Sequence, residues 1–196
     1  MIHWYDSRTL PVSRWRNGGG DTREIISFPP DVKDFDWRIS IATIAADSDF
    51  SLFPGVDRII TLLNGGVTLY RQDRICQKLV LNQPFAFAGE VIITARITAV
   101  SSSDFNIMTR RDRFCARSGI STQSLTAAAS HCGVVYVISG CWQHGETRLS
   151  TGQGAWWQSG AKTFVPESGN AQLLWARIVP QPTSAVAFKT PQQLIA

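Results

Sequence analysis

Apolar residues in this chain recur at every second position far more often than at helical spacing. Trp37, Ile39 and Ile41 fall on one side of an extended segment, with Arg38, Ser40 and Ala42 on the other. Residues 59–63 run into Asn64-Gly65-Gly66, and Val67-Thr68-Leu69-Tyr70 follows, which reads as a strand, a hairpin turn and a return strand. The same alternation predicts strands over 91–97, 105–109, 133–139 and 173–179. Only residues 121–130, with their alanines, offer a short helix. Turn residues punctuate the chain at short intervals, so the pattern predicts an all-β fold of the sandwich or barrel kind.

The strands also repeat. A first unit takes in residues 60–66, 79–89 and 102–108, and a second takes in 135–141, 149–160 and 169–175. In each, a β-run ends at a glycine turn, a Gln-Pro or Gln-Gly turn with aromatics follows, and a last strand closes the unit. A chain of 196 residues, 44% hydrophobic and 17% charged, needs no disulfide or metal to fold, since it buries roughly 70% of its unfolded surface. No apolar run approaches the ~18 residues that span a bilayer. The first six residues, Met-Ile-His-Trp-Tyr-Asp, lack the layout of a signal peptide. The expectation is a soluble, cytoplasmic protein that engages no membrane.

Charge is unevenly spread. Residues 1–98 hold 11 basic and 11 acidic side chains, whereas residues 99–196 hold eight basic and four acidic, so the whole net charge of +4 sits in the second half. Arg110, Arg111, Arg113 and Arg117 supply half of those eight bases. The segment 110–117 reads either as a solvated linker or as a dock for an acidic partner. With no alternating aromatics and no recognisable motif, nucleic acid is not expected as a partner. The four cysteines, Cys76, Cys115, Cys132 and Cys141, form no CxxC and stand at no finger-like spacing from a histidine, so they read as free thiols. His3, His131 and His144 make no H-x-H pair, and neither a metal nor any other cofactor is expected.

Two segments are candidates for chemistry. In Trp15-Arg16-Asn17-Gly18-Gly19-Gly20-Asp21-Thr22-Arg23-Glu24, the glycines are not a phosphate loop, because no Lys-Ser/Thr follows. Thr22 and Glu24 share a strand face beyond them, either as a polar pair aimed into a barrel mouth beside Asn17 or as part of a plain turn and edge strand. In Asp104-Phe105-Asn106-Ile107-Met108-Thr109-Arg110, alternation places Asp104, Asn106, Met108 and Arg110 together. That face is either solvated or the lining of a cavity. In a cavity Asn106 would offer both a donor and an acceptor. Arg110 would hold a carboxylate bidentately. Arg38 and Ser40, and Arg58 after Pro54-Gly55, invite the same two readings.

At these segments the sequence resembles the HutD/Ves family over residues 3–180, and its Ves branch more closely. The resemblance is carried by residues 15–20 with Thr22 and Glu24, by Asp36-Trp37-Arg38-Ile39-Ser40-Ile41-Ala42 and by Phe50-Ser51-Leu52-Phe53-Pro54-Gly55-Val56-Asp57-Arg58. Pro84-Phe85-Ala86-Phe87 and residues 104–110 complete it. It implies a bicupin, two RmlC-like jelly-roll β-barrels packed together, here read as residues 1–112 and 113–196 with part of one sheet exchanged between them. In the stretch 55–60, where a cupin normally offers His-x-His and a Glu for a metal, there is no histidine, which implies a metal-free barrel. The HutD branch belongs to histidine-utilisation systems, implying a small carboxylate metabolite such as urocanate or a formylated product. The expected site in the first barrel comprises Asn17, Thr22, Glu24, Arg38, Ser40, Arg58, Phe87 and Asn106, serving a sensor or regulator of amino-acid catabolism or stress response. One alternative is a metal-independent enzyme of isomerase or hydrolase type with Glu24 as acid/base, its pKa raised by an apolar barrel. Another is an interaction module docking through 110–117. An open sheet edge would also allow a homodimer.

Overall fold

A computed structural model describes residues 1–181 apart from Asn17, Asp31 and Lys33, and among the described residues every regular element is a β-strand. In chain order they are β1 (Ile2–Asp6), β2 (Val12–Arg14), β3 (Gly20–Phe28), β4 (Trp37–Ile44), β5 (Ser48–Asp49), β6 (Val56–Asn64), β7 (Val67–Arg71), β8 (Arg74–Lys78), β9 (Pro84–Ala88) and β10 (Thr94–Ile97). There follow β11 (Ser102–Arg110), β12 (Phe114–Ser121), β13 (Leu125–Ala127), β14 (Cys132–Ser139), β15 (Cys141–His144), β16 (Thr147–Ser150), β17 (Gln153–Trp157), β18 (Lys162–Pro166) and β19 (Gln172–Pro180).

Four sheets form two jelly-roll units, and the units repeat strand for strand. The first unit faces the sheet β2-β3-β4-β11-β6-β9 with the sheet β5-β10-β7-β8; the second faces β1-β17-β14-β19-β12 with β13-β18-β15-β16. Adding eight to any strand from β4 to β11 gives its counterpart in the second unit, with the same hydrogen-bonded neighbours. The three strands before β4 stand outside this repeat. β2 and β3 widen the large sheet of the first unit, while β1 pairs antiparallel with β17 in the second. The Tyr5 hydroxyl fixes that crossover by donating to the Val135 carbonyl at 2.9 Å.

The alternation of β4 and β11 is that of strands buried on both faces. Trp37, Ile39 and Ile41 on β4 and Phe105 and Ile107 on β11 pack against Val134 on β14 and Leu174, Ala176 and Ile178 on β19. The two large sheets therefore lie back to back and share the central core. Their other faces look into the barrels. The second barrel is filled with Val135, Val137, Trp142, Leu149, Trp157, Phe164 and Leu173. The first is filled at one end by Ile44, Ile60, Leu62, Val67, Leu69 and Ile93, while its other end carries polar side chains.

Two local expectations are corrected. The segment 59–70 is not a hairpin, because β6 and β7 lie in different, facing sheets, and Asn64-Gly65-Gly66 is a corner between them. Gly65 has φ +81°, and a Cβ there would sit 2.4 Å from Ser102 Oγ, so the corner admits glycine for both backbone and space. Gly140 (φ +74°), against Ala171 and Ser168, is its counterpart between β14 and β15. Residues 121–130 form no helix either: β13 pairs with β18, Leu125 opposite Phe164, and Leu125 and Ala127 pack on the second core. Burial on a sheet outweighs the weak helical preference of three alanines.

Candidate functional site

Register assembles the polar face in rows. Across the large sheet of the first unit, Arg38, Met108, Arg58 and Phe87 stand side by side on β4, β11, β6 and β9. The next row is Glu24, Ser40, Asn106 and Ile60, and the third is Thr22, Ala42, Asp104 and Leu62. Eight of these side chains, all but Phe87, Glu24, Ile60 and Leu62, floor a cavity of about 470 Å³, roofed by Phe50 and Phe53 from the segment after β5 and walled by residues 13–16 of the β2–β3 hairpin. Gly20 lets that hairpin lie down, since a Cβ there would meet the Thr43 carbonyl oxygen at 2.1 Å. Trp15 Nε1 donates to Thr22 Oγ1 at 2.8 Å and holds the hairpin over the floor.

Arg58 is the centre of the site. It is 5% exposed, and its guanidinium carbon lies 5.0 Å from the ring centroids of both Phe50 and Phe87 and 5.8 Å from Phe53, inside the range of cation–π attraction. Nη2 donates to Asn106 Oδ1 at 2.8 Å, whereas Nε is buried with no hydrogen-bond partner. Asn106 Nδ2 in turn donates to Asp104 Oδ1. Burial lowers the Arg58 pKa to about 10; the Asp104 charge opposes the fall and Arg38 adds to it.

Asp104, 1% exposed, is driven the other way. Burial raises its pKa to about 7, with Arg58 and the Asn106 hydrogen bond pulling it down. The folded carboxyl thus holds its proton more tightly than the unfolded one, and stability falls as pH rises from the ordinary carboxylate range to about 7. Between pH 5 and pH 8 an Asp104→Asn protein is expected to gain about 2–3 kcal/mol on the wild type, read from urea melts at the two pH values. Parallel pH dependence in both proteins would mean that Asp104 is not the titrating group.

Thr22, Arg38, Ser40, Arg58 and Asn106 all line the cavity. Phe87 reaches it through the Arg58 guanidinium, and Asn17 lies outside the described residues. Glu24 is in a different situation from the one expected. Its side chain is 46% exposed and accepts from Arg38 Nε at 2.6 Å, next to a register shift between Glu24 and Ile26. It is not part of the cavity wall and serves to orient Arg38. Arg110 also departs from the alternation of its strand. Its Nε donates to the Phe35 carbonyl at 3.2 Å and its Nη2 lies 3.3 Å from Asp34, away from the cavity.

Sequence reasoning passed over Asp104, Phe50, Phe53, Arg14 and Arg16 as site residues. Asp104 was signalled by sharing its face with Asn106, but the two phenylalanines lie in a segment without periodicity. Four arginines, Arg14, Arg16, Arg38 and Arg58, line the cavity with two carboxyl groups, Asp49 and Asp104. Asp49 accepts from Thr94 Oγ1 at 2.6 Å. The wall is therefore cationic on balance and suits an anion.

The remaining candidates lie elsewhere. Arg111 forks onto Glu90 at 2.8 and 2.9 Å and also reaches Asp57, and Arg113 pairs with Asp36 at 2.6 Å. His3 stacks on Trp156 at 4.0 Å, and His144 Nδ1 lies 2.8 Å from the Thr163 carbonyl. Among the described residues no three His, Cys, Asp or Glu side chains are grouped as a metal would need, and no helix is long and apolar enough to cross a membrane. The four cysteines are free, with Cys76 exposed.

Comparison with known proteins places this architecture. Protein Ves of Citrobacter koseri is 46% identical over 179 residues, covering 90% of this chain and 94% of its own. Protein Ves of Cronobacter sakazakii is 43% identical over the same share of this chain and 98% of its own. Among solved structures, HutD from Pseudomonas fluorescens SBW25, in a formate condition, superposes with a TM-score of 0.80 at 25% identity, over 93% of this chain and all of that one. A protein of unknown function from Pseudomonas aeruginosa PAO1 gives 0.79 at 22% identity, over 91% and 99%. Nickel-bound pirin YhhW of Escherichia coli, at 12% identity and a TM-score of 0.65 over 93% of this chain and all of that one, shares the fold alone. The HutD family model matches residues 7–175, a span that runs from before β2 into β19 and holds the whole arginine-lined cavity, and the chain belongs to the HutD family.

Proposed function

We propose that the cavity of the first barrel binds a small carboxylate metabolite, and that the protein works as a sensor or regulator of amino-acid catabolism or stress response. The observation that carries this reading is Arg58, a buried guanidinium with an unpartnered Nε in the wall of a cationic cavity. A buried charge is costly to keep unless something pairs with it, and a carboxylate on Arg58 would supply that pairing with directed hydrogen bonds. The volume suits a small metabolite, and the apolar rings of Phe50 and Phe53 give such a ligand something to pack on.

The two alternative roles receive less support. Glu24 is occupied with Arg38 and stands outside the wall, which leaves it poorly placed as an acid/base. Arg110, Arg111 and Arg113 are neutralised by carboxylates of the same chain, which leaves less charge for an acidic partner.

A thermal-shift series with formate, urocanate, N-formylglutamate and glutarate tests the proposal. A ligand that binds only the native state adds roughly 2.7 kcal/mol of stability at a hundredfold excess over its Kd. The expected result is a raised melting temperature with one or more of the four, lost in Arg38→Ala and Asn106→Ala. No shift with any of them at millimolar concentration, or an undiminished shift in both variants, would remove the ligand from this cavity.

A further inference from the structure

Asp104 plays no part in the binding just proposed, yet it is the most deeply buried ionisable group in the cavity wall. It does not pair directly with Arg58. Asn106 stands between them, accepting from Arg58 through Oδ1 and donating to Asp104 through Nδ2. This relay fixes the amide in one orientation, and among the described residues Asn106 is the hydrogen-bond donor that holds the carboxyl in the wall. An anion that reaches Arg58 therefore enters a cavity whose wall also carries the buried Asp104 carboxyl, one side chain further along the relay. A ligand carboxylate on Arg58 adds a second negative charge near the buried Asp104 carboxyl and takes up the cation that favoured its ionised form, so Asp104 is driven to hold a proton.

The other charges around Asp104 do not change this outcome. Arg38 faces the cavity from β4 but is held by Glu24 of β3. Arg14 and Arg16 project from the exposed hairpin, and Asp49 of β5 is held by the Thr94 hydroxyl. On β11 itself, Arg110 is bound to Phe35 and Asp34. Arg58 remains the cation linked to Asp104, through Asn106, and it is the one the ligand would engage.

Resting on the carboxylate reading, we propose that Asp104 carries a proton in the occupied site and donates it in a hydrogen bond to the ligand carboxylate, so that each ligand bound brings one proton with it. The proton comes from solvent, and no bond other than the hydrogen bond is made or broken. An O–H donor to an ionised oxygen makes a short, strong hydrogen bond, so Asp104 becomes a residue that selects ligands whose carboxylate oxygens keep a free lone pair beyond the bonds made to Arg58. The empty carboxyl already titrates near neutral pH, which makes the coupling visible in an accessible range.

Isothermal titration with formate and with N-formylglutamate, both fully ionised between pH 6 and pH 9, tests this. In the wild type the Kd is expected to weaken about tenfold per pH unit above pH 7. At pH 8, the difference in heat between phosphate and Tris buffers should report uptake of about one proton per ligand. The pH profile of Asp104→Asn should be flat, with no proton uptake. Wild-type binding with no proton uptake overturns the inference and leaves the carboxylate reading standing, as does a pH slope that persists in Asp104→Asn. No binding of either probe by the wild type at pH 6 overturns both. Should Asp104→Asn fail to fold, the proton count in the wild type decides alone.

Discussion

Arg58→Met is expected to lose carboxylate binding by at least about 100-fold, the scale on which removing one member of a buried charge pair weakens a complex, while the empty protein stays as stable as the wild type or becomes more so. The two halves of this result have one cause. The guanidinium is nearly out of contact with water, and its pKa of about 10 reports the cost of keeping it charged there. Asp104 offsets part of that cost and Arg38 adds to it. Replacing a buried ion by an apolar side chain of similar length is often neutral or stabilising. Methionine would lie among Phe50, Phe53 and Phe87, where sulfur–aromatic contacts are favourable. Melts at pH 6, where Asp104 is largely neutral, keep the loss of its countercharge out of the comparison. Titration with N-formylglutamate at the same pH measures binding. An Arg58→Met protein that binds as the wild type does would place the anion site elsewhere. One that melts far lower would make Arg58 a residue that holds the fold and not one kept for a ligand.

The stretch 55–60 brings this into focus. It is where the cupin resemblance expects histidines for a metal, and the first barrel has Arg58 there instead. Arg58 puts a fixed cation on that strand. The cation needs no ligand set but must still be desolvated, and the three phenyl rings and the Asn106 amide do that work.

What could be read from the sequence was the face of each strand, and what could not was the neighbour of each strand. Alternation alone separated Arg38, Ser40 and Ala42 from Trp37, Ile39 and Ile41, and it grouped Asp104 with Asn106, because side-chain direction is a local property of extended backbone. That Arg58 stands beside Met108 and Arg38 depends on register, which is set by long-range pairing. The same gap explains the segment 59–70, where glycines that mark a turn cannot say whether the two strands pair with each other or with different sheets. Glu24 was misplaced by the register shift beside it, and Arg110 by the nearness of Asp34 at the end of its strand. Phe50 and Phe53 roof the site from an irregular segment, where no periodicity exists to read. The duplication was visible as a pattern of glycine turns and aromatics. Its full extent, eight strands matched to eight, appears only when hydrogen-bonded neighbours are known.

The back-to-back arrangement of the large sheets makes a second prediction with a large effect. Trp37→Ala is expected to destabilise the protein by about 3–5 kcal/mol, the range for removing a large aromatic from a packed core. For a chain of this size that lowers the melting temperature by about 10 °C. Trp37 is 1% exposed, stacks on Phe28 at 5.2 Å and meets the edge of Trp156 at 6.5 Å, so it joins β3 and β4 of the first unit to β17 of the second. Its indole Nε1 is buried and makes no hydrogen bond. Trp37→Phe should therefore cost far less than Trp37→Ala, since it keeps most of the ring contact and removes an unpaired donor. Trp37 points away from the cavity, whose floor is the opposite face of β4. Carboxylate binding by folded Trp37→Ala, measured well below its midpoint, should stay within a few-fold of the wild type. A large loss of affinity at full folding would mean that the shared core transmits to the floor of the first barrel. A melting temperature equal to the wild type would mean that the two sheets do not depend on this contact. The expected pattern, stability lost with binding kept, is the mirror image of Arg58→Met, and the two substitutions lie on β4 and β6, either side of β11, with side chains on opposite faces of one sheet.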